Sequence, residues 1–300
     1  MKKMLFIMNP CSGQKRANRY LPDILSMYNR AGYDISVHMT AGPGDGDETV
    51  RRLGPGMDVV VCCGGDGTFN EVISGLLHSG QDIPVGYIPA GTTNDFASSM
   101  KLPTNIMRAA RAILDGTPVA YDAGKFGDRY FSYVASFGAF TRASYATPQD
   151  IKNALGHTAY VLEGIQELSQ LRKEHVRMDI DGRIVEDDFL FGAISNSTSV
   201  GGILNLDPTQ VDMRDGLLEI LLVRAPRNLA EISECIQALK NQKYNCEMIT
   251  FCSTPRVTVY ADPDMPWTLD GEREDGHEQI TIKNDHLSYR LVQKVRGEDA

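Results

Sequence analysis

Val59-Val60-Val61-Cys62-Cys63-Gly64-Gly65-Asp66-Gly67-Thr68-Phe69-Asn70-Glu71 decides how the chain is read. Five apolar residues in a row have the length and composition of a buried strand. The glycines that follow let the backbone turn sharply and approach a ligand closely. Thr68 and Glu71 have the spacing of a capping box, so a helix is expected over 68–77. A strand that turns through glycine into a helix presents backbone N–H groups, and such groups bind phosphate. Asp66 falls inside that turn, where an acid has a use only if a cation accompanies the phosphates. The familiar nucleotide patterns do not fit. There is no P-loop lysine, and Asn70 stands where a dinucleotide fingerprint needs its third glycine. Taken alone, the cluster reads as a glycine turn joining strand to helix.

Two further loops change that balance. Asn9-Pro10-Cys11-Ser12-Gly13 follows an apolar run over 5–8, and Pro89-Ala90-Gly91-Thr92-Thr93-Asn94-Asp95-Phe96 follows another over 85–88. Strands over 35–39 and 59–63 and helices over 20–31, 47–53, 68–77, 95–99 and 106–114 complete an alternation that implies a parallel sheet with helices on its faces. In such sheets the loops at the carboxyl ends of strands line one crevice, where ligands bind.

From about residue 118 the texture changes. Strands are expected over 119–125 and 129–137, then one long helix over 151–173. Val176, Met178 and Ile180 alternate with charged residues before Asp181-Gly182, a hairpin signal. Strands over 189–195, 217–223, 257–260, 279–283 and 287–291, with one helix near 229–240, indicate a mostly antiparallel, β-sandwich-like second domain. The expected fold is α/β plus β: an N-terminal α/β nucleotide-binding domain over 1–125 and a β-rich substrate domain over 126–286.

The totals exclude several classes. A length of 300 residues suits two domains, and a net charge of −9 opposes nucleic-acid binding and broad adhesion to anionic membranes. A local basic patch around Lys15, Arg16 and Arg19 remains open. The six cysteines, Cys11, Cys62, Cys63, Cys235, Cys246 and Cys252, form no C-x-x-C pair. They fit a reduced, cytoplasmic protein, and Cys62 and Cys63 read as small buried thiols. The apolar start over 4–8 stops at Asn9-Pro10, short of a signal peptide, and no run spans a bilayer. Any contact with a membrane would be peripheral.

In combination, Asn9–Gly13, Gly64–Glu71 and Gly91–Phe96 resemble the nucleotide-site motifs of the diacylglycerol kinase catalytic family, which includes sphingosine and ceramide kinases. Gly201-Gly202, Asp212-Met213-Arg214-Asp215-Gly216-Leu217 and Leu269-Asp270-Gly271-Glu272 extend the resemblance over nearly the whole chain. It implies an ATP- and Mg²⁺-dependent lipid kinase, with diacylglycerol as the expected acceptor and phosphatidic acid as product. Asn9, Pro10, Cys11, Ser12 and Gly13 would contact ATP, as would Gly65, Asp66, Gly67, Thr68, Phe69, Asn70 and Glu71, with Thr40 and Thr92 beside them. Asp66, Asp95 and Asp122 would form an acidic network around Mg²⁺, and Glu272 would be the general base. Asp215, with the carbonyls of Asp212 and Leu217, would hold a second, structural Mg²⁺.

Read on residues alone, Glu272 belongs to an acidic run with Glu274, Asp275 and Glu278, a solvated face. Asp215-Gly216 stands as either a hairpin turn or a metal loop. An apolar slot for lipid is expected near Phe137-Gly138-Ala139-Phe140 and the helix over 151–173, whose apolar face otherwise packs on the sandwich. The resemblance implies that 287–300 return to the first domain, and it allows a homodimer. Competing readings are a kinase of another lipid (phosphatidylglycerol or sphingoid type), a kinase of a soluble alcohol such as NAD, and a non-catalytic nucleotide-binding regulator.

Overall fold

The structure is a computed structural model that describes residues 1–138, 172–200, 204–206, 209–240, 244 and 246–294. It divides into two compact units, Met1–Ala123 with Asp285–Ala300, and Gly124–Asn284.

In unit one, β1 (Lys2–Met8), β2 (Tyr33–Met39), β3 (Val59–Gly64) and β4 (Val85–Pro89) pair in parallel in the order β2-β1-β3-β4. The crossovers carry a 3₁₀ helix (Ser12–Tyr20) running into α1 (Leu21–Arg30), then α2 (Asp45–Leu53) and α3 (Asp66–Ser79). After β4 come α4 (Asp95–Ser99) and α5 (Ile106–Asp115). The last five residues of β1 and all of β3 are buried, as befits parallel strands covered on both faces. On α1, Ile24 and Tyr28 are one turn apart and both buried, and the Tyr28 hydroxyl donates to the carbonyl of Ala110 on α5 at 3.0 Å. The core under these helices gathers Met4, Phe6, Val61, Ile88 and Ile113. Cys62 and Cys63 are fully buried, and burial pushes the Cys63 thiol up to about 12, so both are inert packing residues.

β5 (Thr117–Phe126) leads into unit two. There, β6 (Arg129–Phe131), β7 (Val134–Gly138), β8 (Glu174–Ile180) and β9 (Arg183–Ser195) precede a two-stranded ribbon of β10 (Ser199–Val200) and β11 (Leu204–Asn205). β12 (Leu218–Arg224), α6 (Leu229–Lys240), β13 (Ile249–Thr254), β14 (Arg256–Ala261), β15 (Trp267–Leu269) and β16 (Glu272–Glu274) follow. The pairings are antiparallel, and long β9 is shared by β8, β7 and β12. Their inner faces bury Phe126, Phe137, Met178, Leu222 and Val259 around Trp267, which meets Phe126 and Phe137 edge-on at 5.1 and 5.0 Å. β17 (Gln279–Gln293) belongs to both units: Gln279–Lys283 pair with β14, while Leu291 lies opposite Val85 of β4.

The Asp181-Gly182 hairpin forms as expected, with both residues at positive φ. Three expectations change. The strand over 129–137 breaks at Ser132-Tyr133, because the Ser132, Tyr133 and Val134 N–H groups turn to the Asp270 carboxylate. Strands over 279–283 and 287–291 are one, with positive φ at Leu287 marking an irregularity within it. β10, β11, β13, β15 and β16 were not anticipated; β10, β11, β15 and β16 have only two or three residues each, too short for alternation to register. The helix over 151–173 lies outside the described residues, except that Arg172 and Lys173 are coil. Ala139, Phe140, Gly201 and Gly202 also lie outside them.

Candidate active site

The three loops close on one another at the carboxyl ends of β1, β3 and β4. Asn9 Nδ2 donates to Thr68 Oγ1 at 3.1 Å, and Asn9 Oδ1 accepts from Cys11 N at 2.9 Å. One side chain thus braces the first loop and ties it to the second. Gly13 has φ +50°, and a Cβ there would stand 2.0 Å from the Ala90 carbonyl oxygen. A Cβ on Gly91 would stand 2.7 Å from the Gly65 Cα. These glycines are required because backbone meets backbone. Thr40 N donates to Met8 O at 2.8 Å, which sets Thr40 beside the end of β1. Thr92 is exposed in the third loop, which Asn94 closes by accepting from Gly91 N at 2.8 Å.

The helix of the second loop starts earlier than expected, at Asp66, with Gly65 as N-cap and no side-chain cap. The capping box does not form. Asp66, Gly67 and Thr68 are therefore the first helical residues, whose N–H groups have no intrahelical acceptor. Those N–H groups could receive phosphate oxygens. Phe69 N already donates to Gly65 O at 3.0 Å, and the Phe69 ring stacks between Tyr87 and Phe96 at 4.5 Å from each. Asn70 is buried. Glu71 turns away to the start of α2, where its two oxygens accept from Gly44 N at 2.7 Å and Gly46 N at 2.9 Å. Phe69 and Glu71 thus do not offer the phosphate contacts expected of them.

Asp66 caps α4 from a distance in sequence. Its Oδ2 accepts from Asp95 N at 2.9 Å, and its Oδ1 accepts from Phe96 N at 3.3 Å and the Tyr87 hydroxyl at 3.4 Å. Burial first, and then the Asp95 charge, raise the Asp66 carboxyl above the usual range against the pull of those bonds. No basic side chain is among the groups acting on it. Mg²⁺ needs only one or two carboxylates beside phosphate and water, so Asp66 and Asp95 suffice in number for a cation carried in with phosphates. Asp122 is placed differently. It is fully buried, and its Oδ1 accepts from Leu287 N at 2.7 Å and pairs with His286 Nδ1 at 2.9 Å. Among the described residues no three of His, Cys, Asp and Glu converge on a metal position.

In unit two, β15 and β16 are joined by Asp270 (φ +49°) and Gly271 (φ +85°), a two-residue turn with Leu269 opposite Glu272. Glu272 opens β16 with its side chain half exposed, 4.0 Å from the Arg129 guanidinium, which also pairs with Glu274. Asp270 is buried and accepts four hydrogen bonds from Ser132–Val134. The Asp212–Leu217 loop is stitched by its own N–H groups: Arg214 N to Asp212 Oδ1 at 3.1 Å and Leu217 N to Asp215 Oδ1 at 2.9 Å. The Leu217 carbonyl accepts from Asn284 Nδ2 at 2.9 Å. A carbonyl accepts twice, so this bond leaves room for a cation. Phe137, expected beside the lipid slot, is packed against Trp267 in the core.

Glycine loops at the ends of parallel strands, with a separate β unit bearing an acidic turn, define a phosphotransferase class. The description "Diacylglycerol kinase catalytic domain" matches residues 3–126, and "YegS C-terminal NAD kinase beta sandwich-like domain" matches residues 134–283. A diacylglycerol kinase of Bacillus subtilis (strain 168) is 33% identical over 275 residues, 91% of this chain and 90% of that protein. One from Staphylococcus saprophyticus is 33% identical over 273 residues, covering 90% of this chain and 89% of its own. A crystal structure of a diacylglycerol kinase from Bacillus anthracis str. Sterne shares the fold, with a TM-score of 0.77 at 23% identity over 98% of this chain and 97% of that one. The chain belongs to the diacylglycerol kinase family of lipid kinases. No described helix is long and apolar enough to cross a membrane.

Two residues received no role in the sequence reading. His286, paired with Asp122, left no signal. Asp270 left a weak one: it is the acid next to the apolar Trp267-Thr268-Leu269, whereas the acids after it belong to a polar stretch.

Proposed function

We propose that this lipid kinase transfers the γ-phosphate of ATP to the hydroxyl of diacylglycerol, giving phosphatidic acid. The observation that carries the nucleotide part is the mutual contact of the three loops, which leaves the uncapped start of α3 to receive phosphate oxygens. Asn9–Gly13, Gly65–Thr68, Thr40 and Thr92 would hold the nucleotide in unit one. Backbone N–H groups would neutralise charge that builds on the phosphoryl oxygens during transfer. Asp66 and Asp95 are the residues that would hold Mg²⁺, which when bound supplies positive charge to the phosphates.

Unit two would supply the proton acceptor. Glu272 takes the proton of the lipid hydroxyl as its oxygen bonds to phosphorus. The bond from phosphorus to the departing ADP oxygen breaks, and ADP carries away its electron pair. The support for diacylglycerol is the name shared by relatives aligned over nine-tenths of their length. Lipid contact would be peripheral.

The test is transfer of labelled γ-phosphate in Mg²⁺ to mixed micelles holding diacylglycerol, phosphatidylglycerol or a sphingoid base, with NAD as a soluble acceptor. Label in phosphatidic acid supports the reading. Label in another lipid replaces the substrate, and label confined to the soluble acceptor rejects it.

A further inference from the structure

Asp270 makes more hydrogen bonds than its turn requires. The side chain is buried, with 4% of the residue exposed. Its Oδ2 accepts from Ser132 N at 2.6 Å and Ser132 Oγ at 2.7 Å, and its Oδ1 accepts from Tyr133 N and Val134 N at 3.0 Å each. Its own N–H donates to Val134 O at 2.9 Å. An Asn-Gly pair would make the same two-residue turn without burying a charge. Burying a carboxylate costs several kcal/mol unless donors surround it. Here all the donors belong to one segment, and that segment also carries Arg129, which reaches Glu272 and Glu274.

We propose that Asp270 is the positioning residue of the reaction: its carboxylate clamps the β15–β16 turn to Ser132–Val134 and so fixes where Glu272, two residues on, presents its oxygens. This rests on Glu272 as proton acceptor. A base works only within hydrogen-bond reach of its proton, and a displacement of about 1 Å costs about a hundredfold in rate. Asparagine is a poor substitute, because its NH₂ would face an N–H donor where the carboxylate accepts. The clamp also explains why the strand expected over 129–137 is interrupted: the three N–H groups at the break are those given to Asp270.

The experiment is a double-mutant cycle. kcat and the KM for ATP are measured for wild type, Asp270→Asn, Glu272→Gln and the double variant, with Ser132→Ala alone and combined with Glu272→Gln. Asp270→Asn is expected to lower kcat about a hundredfold with the KM for ATP little changed. In the Glu272→Gln background the same substitution should cost nothing further, since a clamp has no effect once the base it aims is gone. A merely structural role gives the same loss in both backgrounds, which overturns the proposal, as does a wild-type kcat in Asp270→Asn. If Asp270→Asn does not fold, Ser132→Ala decides, because it removes one donor and keeps the carboxylate. A loss of kcat that disappears beside Glu272→Gln supports the clamp, and an unchanged kcat overturns it. A wild-type kcat in Glu272→Gln itself rejects the base assignment, a separate result, and the clamp falls with it.

Discussion

Gly13→Ala probes the closure of the nucleotide loops most directly. The added methyl would sit 2.0 Å from the Ala90 carbonyl oxygen, where ordinary contact begins at 3.4 Å, so the first and third loops must part by 3.4 − 2.0, about 1.4 Å. Alanine at φ +50° adds about 1–2 kcal/mol of backbone strain. Overpacking adds about 1–3 kcal/mol. Gly32→Ala is the control, since Gly32 also has positive φ (+88°) but meets nothing within 4 Å. It should show the strain alone. Urea unfolding gives the stability difference, and nucleotide titration of the folded protein gives the affinity. Gly13→Ala should lose about a hundredfold in kcat/KM for ATP, as a displacement of that size implies, while Gly32→Ala keeps the wild-type value. If Gly13→Ala binds ATP normally and is no less stable than Gly32→Ala, the loops do not form one site.

Glu71→Ala should destabilise the start of α2 by about 1–2 kcal/mol, because the Gly44 and Gly46 N–H groups lose their acceptor; faster hydrogen exchange at those two amides is the readout. Burial pushes the Asp270 carboxyl from 3.8 up to about 6, so the folded chain keeps a proton there that the unfolded chain has lost. Its contribution to stability is therefore complete below about pH 4 and declines by about 2–3 kcal/mol as pH rises to about 6, a slope that Asp270→Asn should flatten in denaturation measured across that range. kcat should fall as pH drops through about 6, because a protonated Asp270 sets a hydrogen against donors. If the Asp212–Leu217 loop holds a cation, Mg²⁺ should raise the Tm of wild type and not of Asp215→Asn; an equal rise in both rejects that site.

The sequence made the loops of unit one legible because their chemistry is local. Gly65 and Gly91 announce sharp turns, and the apolar runs before them announce buried strands. The destinations of side chains were not legible where partners lie far along the chain. Thr68 and Glu71 have capping-box spacing, yet Glu71 serves Gly44 and Gly46, 27 and 25 residues away. Asp122 suggested a metal ligand by resemblance, yet its hydrogen-bond partners Leu287 and His286 lie 165 and 164 residues on. Asp270 depends on Ser132, 138 residues earlier. Periodicity reports which face a residue takes and is silent on which segment that face will meet. The short strands β15 and β16 failed for the same reason, since only their neighbours define them.

Because β17 completes both units, synthesis imposes an order on assembly. Unit two is one contiguous stretch, whereas unit one waits for residues beyond 284 to cover the edge of β4. At about 5–20 residues per second, the ribosome needs roughly 10–30 s to make the intervening segment. Throughout that interval β4 exposes unpaired N–H and C=O groups, a template for pairing with other chains. A nonsense codon shortly before 285 would therefore leave a protein with an intact second half and a sticky first one.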